Sequence, residues 1–248
     1  MTCSDADLRE LYSYPESPWL RMNFVASIDG AVTSGGASGA LSSETDKHLF
    51  GLLRELADVI VVGAGTIRTE NYGGAVITRE AQRRRAAAGQ SSHPPIAVVT
   101  ARADLDPDSR LFAETTAAPL IVTTANAPTA AKATLRAAGG DVIEAEPGSS
   151  DGVDGDSLMA ALQRRGLRRI LCEGGPRLFG HLLAANLVDD LCLSIAPVLT
   201  AGTAGRIAVS DAAGSANAAQ QRKMRLAHTL SGDDGTVFTR WVRDPAVG

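Results

Sequence analysis

The chain has 248 residues, 44% of them hydrophobic and 21% charged, which supplies a core of ordinary globular size. The net charge of −4 gives no electrostatic footprint for nucleic acid, and no apolar run reaches the ~20 residues of a membrane span. The three cysteines, Cys3, Cys172 and Cys192, form no CxxC and no metal-ligand spacing, so no metal site is expected.

In chain order, "MTCSDADLRELYSYPESPW" is acidic and has no apolar signal region, which points to a cytoplasmic protein. "RMNFVAS" (21–27) is the first predicted strand. It runs into Asp29-Gly30, a turn signal, and then a long stretch of Gly, Ser, Ala and Thr. A loop of such length and composition is either mobile or folds over something. "SSETDKHLFGLLRE" (42–55) opens a helix. Ser43-x-x-Asp46 matches a capping box, and the alternative for Asp46 is an acid facing a pocket. Arg54, on the same helix, is a surface charge or an anchor for a substrate anion, and His48 reads as an ordinary helix residue. "DVIVVG" (58–63) is a buried strand ending in Gly63-Ala64-Gly65-Thr66. Arg68 stands where the third glycine of GxGxxG would be, so a tight βα turn explains the glycines as well as a ligand does.

Further strands are predicted at "IAVVT" (96–100), "LIVTT" (120–124), "DVIEA" (141–145), "RILCE" (169–173) and "DLCLSIAPV" (190–198). The polar stretches 86–95 and 146–157 read as surface loops of one domain. Strand 169–173 meets Glu173-Gly174-Gly175-Pro176 and then a helix. Two glycines permit a tight crossover and proline suits a first helical turn; bare N–H groups there would equally suit an anion. His181, on that helix, reads like His48. "SGDDG" near the C-terminus separates two extended arms, a hairpin signal. Alternating strands and helices followed by a hairpin predict an α/β fold, mostly parallel with an antiparallel C-terminal edge.

"NFVASIDGAV", "VIVVGAGTIRTENYG" and "CEGGPRLFGHLLAANLVDDLCLSIAPVL", in this order and spacing, resemble the riboflavin-biosynthesis pyrimidine reductase family. The resemblance implies a dihydrofolate-reductase-like three-layer fold with a mixed, mostly parallel sheet. It divides the chain into an extension, 1–17, and one reductase domain, 18–244. It implies NADPH across the strand ends, touching Ala26, Gly63, Gly65, Thr66, Glu70, Thr100 and the run Gly174, Gly175, Pro176, Arg177, Leu178, Phe179 and Gly180. Asn23, Ser38, Arg54 and Gly74 would line the substrate side, with Glu173 and Asp46 as catalytic acids. Arg68 and Arg102 are candidates for the cofactor 2′-phosphate. A small-residue loop that excludes water and nearby acids that handle protons agree with hydride transfer.

The chain departs from the family pattern in three ways. It contains neither the HxE nor the PCxxC of the deaminase half. It has Asn23 where bifunctional members carry lysine, which is more like the stand-alone archaeal and fungal reductases. It has "ENYGGAVI" where the family reads "DDPxLTVR", so one expected phosphate-binding arginine is absent. The reading is therefore an NADPH-dependent reductase of a ribosylaminopyrimidine phosphate. A dihydrofolate or pterin reductase, and a non-catalytic NADP-binding paralogue, are the alternatives. A small-molecule substrate and a homodimer paired through the C-terminal part of the sheet are expected, with no nucleic acid or membrane partner.

Overall fold

The computed structural model describes residues 3–33, 38–148, 152–210 and 221–244. The chain begins with α1 (Asp5–Leu11) and β1 (Trp19–Ser27), followed by α2 (Glu44–Leu56), β2 (Val59–Gly63), α3 (Ala64–Thr69) and α4 (Arg79–Ala87). It continues through β3 (Ile96–Val99), α5 (Arg110–Ala113), β4 (Leu120–Thr124), α6 (Thr129–Ala137), β5 (Asp141–Ala145) and α7 (Gly155–Gln163). The last elements are β6 (Arg169–Cys172), α8 (Pro176–Ala184), β7 (Asp190–Ala196), β8 (Met224–Ser231) and β9 (Val237–Arg243). Among the described residues nine strands form one sheet in the order β5-β4-β3-β2-β6-β1-β7-β9-β8. β1 to β7 run parallel; the β8–β9 hairpin adds the antiparallel edge. This is the α/β arrangement, with its antiparallel C-terminal edge, expected from the sequence.

The run "VIVV" is apolar throughout because both sheet faces are covered. Ile60 and Val62 pack into the core shared with α1, α2 and α6, while Val59 and Val61 pack into the core shared with α7 and α8. That period-2 division of one strand between two cores produces the three layers. Each predicted strand is found, with small shifts at the ends. β7 stops at Ala196 rather than residue 198, where Pro197 has no N–H to continue the ladder. β3 and β6 stop one residue earlier than predicted, although the Thr100 and Glu173 N–H groups still donate to Val122 O and Val61 O, both at 3.0 Å.

The segment before β1 packs into the main core: Leu8 and Tyr12 are buried with α2 and β2 residues. The strongly polar α4 carries no apolar periodicity, and the sequence reading missed it. It is held through its arginines. Buried Arg85 donates from Nη1 to Glu55 O at 2.7 Å and Ala57 O at 2.6 Å, satisfying carbonyls at the C-terminus of α2. Of the two predicted loops, the first begins only after Ala87, and the second is shortened because α7 begins at Gly155; residues 149–151 lie outside the described residues. No helix is long and apolar enough to cross a membrane among the described residues.

Candidate active site

β1 and β2 are consecutive in sequence, but β6 lies between them. Crevices in such sheets open outside the carboxyl ends of strands where the order reverses, and here that point gathers the ends of β1, β2 and β6. The Gly63 N–H donates to Gly174 O at 2.7 Å, joining the glycine turn after β2 to the one after β6. Gly174 has φ +93°, and a Cβ there would lie 2.8 Å from Cζ of Phe24. The Phe24 ring is itself stacked on Phe179, with centroids 5.2 Å apart. A Cβ on Gly175 would fall 2.5 Å from Thr66 Oγ1, so the threonine hydroxyl sits directly over this turn. The Gly174–Gly175 peptide is cis. Gly65 has no heavy atom within 4 Å of a built Cβ and is open to solvent.

The rest of the glycine-proline run divides by position. Pro176 opens α8, Leu178 is half-buried and Arg177 is exposed. Phe179 is buried in its stack with Phe24. A Cβ on Gly180 would lie 2.0 Å from Val209 O, and the Val209 N–H donates to Pro176 O at 3.0 Å. The absence of a side chain at Gly180 therefore admits the backbone around Val209 against the helix. Ala26 is buried at the end of β1, opposite Ile195, and Asn23 is half-buried opposite Cys192. Thr100 is buried just past the end of β3.

Glu173 directly precedes the second of these turns, and a second buried acid, Asp46, lies in the first turn of α2. The Glu173 side chain is 2% exposed, and Arg54 grips it through both edges of its fork, Nε to Oε1 and Nη2 to Oε2, each at 2.7 Å. Tyr72 Oη donates to Oε2 at 2.8 Å. Burial, and then the Glu173 charge, push the Tyr72 phenol well above its usual pKa, so it stays a donor. The Arg54 guanidinium carbon lies 4.2 Å from the Phe50 ring centroid and 5.7 Å from that of Tyr72. Asp46 is buried in the first turn of α2. Its N–H donates to Ser43 Oγ at 3.2 Å, while its Oδ2 accepts from Ser42 Oγ. Ser43 thus caps the helix, while the Asp46 carboxylate turns to Ser42. Among the described residues Asp46 Oδ1 has no hydrogen-bond partner.

Loop contacts frame the crevice. Glu70 Oε1 accepts from the N–H and the Oγ of Ser38, both at 3.0 Å, so the end of the small-residue loop is tied to the end of α3. Residues 34–37 of that loop lie outside the described residues. Gly74 donates its N–H to Glu114 O at 3.2 Å, and a Cβ there would lie 2.7 Å from Thr115 Cα. Arg68 Nη1 donates to Asp104 O at 2.8 Å. Arg102 lines a cleft of about 360 Å³ between the segment after β3 and α6, which shares no residue with the glycine turns.

Asp29 is more than a turn residue. It accepts from Ser27 Oγ and from the N–H groups of Thr200 and Ala201, the latter at 2.7 Å, joining the loops after β1 and β7. The Ser27 hydroxyl, then the Ala201 and Thr200 amides, hold its pKa at about 2, below the ordinary 3.8. A depressed carboxylate contributes stability above its unfolded pKa and loses it as pH falls through the folded one. Between pH 3.8 and about 2 the Thr200 and Ala201 amides are expected to lose protection in an NMR titration. Asp29→Asn should abolish that step, and a titration identical in both proteins would contradict the assignment.

Comparison with known proteins places this geometry. A family profile described as the RibD C-terminal domain matches residues 18–238. The chain belongs to that family. It is 27% identical over 186 residues to the 2,5-diamino-6-ribosylamino-4(3H)-pyrimidinone 5′-phosphate reductase of Archaeoglobus fulgidus, covering 75% of this chain and 83% of the relative. The reductase of the same name from Aquifex aeolicus is 30% identical over 192 residues, covering 75% and 80%. Among solved structures, a pyrimidine reductase-like protein from Corynebacterium diphtheriae is 28% identical, with a TM-score of 0.81 over 96% of this chain and 98% of that one.

The RibD C-terminal domain fold therefore brings together, at the carboxyl ends of its strands, glycine turns with a hydroxyl above them and the buried Glu173. Such a place suits an anionic nucleotide and a proton donor. Sequence reasoning missed Phe50 and Tyr72. Phe50 was accessible in principle, since it lies four residues before Arg54 on one helical face. Tyr72 follows the glycine turn in "ENYGG" and carries no pattern of its own. Among the described residues no three His, Cys, Asp or Glu side chains come together to hold a metal.

Proposed function

We propose that this chain is an NADPH-dependent reductase of the riboflavin-pathway type, converting a 5-amino-6-(ribosylamino)pyrimidine phosphate to its ribitylamino product. The observation that carries this reading is the Gly63–Gly174–Gly175 turn beside the buried Glu173, in a chain of this family. The residues present fit a dinucleotide: two glycine turns with no side chain to block its approach and the Thr66 hydroxyl above them, at the N-terminus of the nine-residue α8. NADPH held at these turns would supply hydride to the substrate carbon. The chain orients the ring, excludes water and delivers a proton to the nitrogen that accepts it. Asp46 is proposed for that proton, because among the described residues one of its oxygens has no hydrogen-bond partner, whereas each Glu173 oxygen already accepts from Arg54 or Tyr72. The Glu70 contact to Ser38 fixes the described end of the small-residue loop to α3. The same reading includes a homodimer through the C-terminal part of the sheet, where β8 is an edge strand and Leu226 is 43% exposed.

A second reading, reduction of dihydrofolate or another pterin, draws on one observation: the Arg54 fork is already filled by Glu173, which weakens the case for a phosphate there. Steady-state NADPH oxidation, with the ribosylaminopyrimidine phosphate and dihydrofolate tested side by side, separates the two. Turnover of the pyrimidine, reduced at least about tenfold in Asp46→Asn, is the expected result. Turnover of dihydrofolate alone would favour the second reading. Tight NADPH binding without turnover of either would leave a nucleotide-binding paralogue.

A further inference from the structure

We infer that Glu173, assisted by Tyr72, determines the substrate selectivity of this pocket by acting as an internal anion that holds Arg54 away from a substrate phosphate. The inference rests on the reductase reading only for what the pocket serves; the contacts stand without it. An arginine recognises carboxylate or phosphate best through a two-pronged edge of its guanidinium. In this chain the edge made by Nε and Nη2 is already matched to the two oxygens of Glu173, at 2.7 Å each. The guanidinium also lies against the Phe50 ring, and the Arg54 and Glu173 side chains are only 14% and 2% exposed. Tyr72 gives Oε2 a second donor, so Glu173 is anchored from two sides.

A phosphate binding through that edge would have to displace the carboxylate, and one approaching from the Nη1 side would meet a guanidinium whose charge Glu173 already balances. The displaced Glu173 would remain enclosed without its counter-charge, and a buried charge stripped of its partner is strongly unfavourable. Arg54 therefore contributes little attraction to an anion while Glu173 is ionised and in place. Selection falls instead on the shape and hydrogen-bonding groups of the ring and its sugar. Removing the Glu173 charge while keeping its shape converts Arg54 into an open anion site.

The test uses the full-length chain and inorganic phosphate, followed by calorimetric titration at constant ionic strength. Wild type and Arg54→Met should respond alike. Glu173→Gln should bind phosphate about tenfold or more tightly than wild type, the gain of a charge-assisted contact. The double variant Glu173→Gln with Arg54→Met should fall back to the wild-type value, which assigns the gain to Arg54. Tyr72→Phe, which leaves the ion pair in place, should show a smaller gain in the same direction and carries the test if Glu173→Gln does not fold. No gain in Glu173→Gln, or wild-type phosphate binding that Arg54→Met abolishes, would overturn the inference; so would a flat response in Tyr72→Phe if that variant has to stand alone. None of these readouts needs turnover, so a failed reductase assay and a failed phosphate response remain separate results.

Discussion

Asp190→Ala is expected to destabilise the chain by about 3–5 kcal/mol, the cost of stripping the partner from buried charges. Asp190 is fully buried, and so is Arg21. Asp190 Oδ2 accepts from Arg21 Nε at 3.0 Å and Nη2 at 2.9 Å, from Arg240 Nε at 2.9 Å, and from Trp19 Nε1 at 3.2 Å. Burial alone would raise its pKa, but Arg21 and Arg240 outweigh burial and leave it lowered. One carboxylate thus serves two guanidinium groups drawn from β1 and β9. Arg21 Nη1 also donates to Tyr12 O at 2.7 Å, and its guanidinium carbon lies 4.1 Å from the Tyr14 ring centroid. Loss of Asp190 would therefore leave two cations facing each other and loosen the segment between α1 and β1. Urea unfolding measures the first effect, and amide exchange at residues 11–14 the second. A change below about 1 kcal/mol would mean that water or a rearranged partner replaces the carboxylate at no cost.

The second large effect is expected at Gly174. Alanine at φ +93° is strained by roughly 1–3 kcal/mol. Its Cβ would in addition meet Cζ of Phe24 at 2.8 Å, and an overpacked contact of this kind costs about 1–3 kcal/mol. Phe24 cannot yield easily, because Phe179 is stacked on its ring. The turn after β6 is the part with room to move, and its movement breaks the Gly63-to-Gly174 hydrogen bond that joins the two glycine turns. Gly174→Ala should therefore weaken NADPH binding by about 10–100-fold, read from quenching of nicotinamide fluorescence. Gly39→Ala is the matched control, since no heavy atom lies within 4 Å of a built Cβ there. Equal NADPH affinity in both variants would remove the turn after β6 from the cofactor site.

What the sequence by itself determined is local and periodic. The run 59–62 sends alternate residues to two cores and so declares a strand buried on both faces. Ser43 before an amphipathic stretch marks the start of α2, and "SGDDG" between two extended arms marks the β8–β9 hairpin. Glu173-Gly174-Gly175-Pro176 was visible as a strand end turning into a helix, and the three family segments gave the fold and the neighbourhood of the site. Backbone dihedral preferences and alternation of solvent exposure act over a few residues, so they leave a mark in a short window. The partners of the charged groups do not. Arg54 and Glu173 are 119 residues apart, Tyr72 and Glu173 are 101 apart, and Arg21 and Asp190 are 169 apart. The two Glu173 pairings follow from β6 entering the sheet between β2 and β1, and the Arg21–Asp190 pairing from β7 adding to the other edge of β1, crossovers that no residue spacing encodes. For the same reason Gly180 reads in sequence as part of a cofactor loop, and only the fold reveals Val209 lying against it. Tertiary structure decided which charges are satisfied inside the protein, because burial makes an unpaired charge costly and the topology supplies its partner.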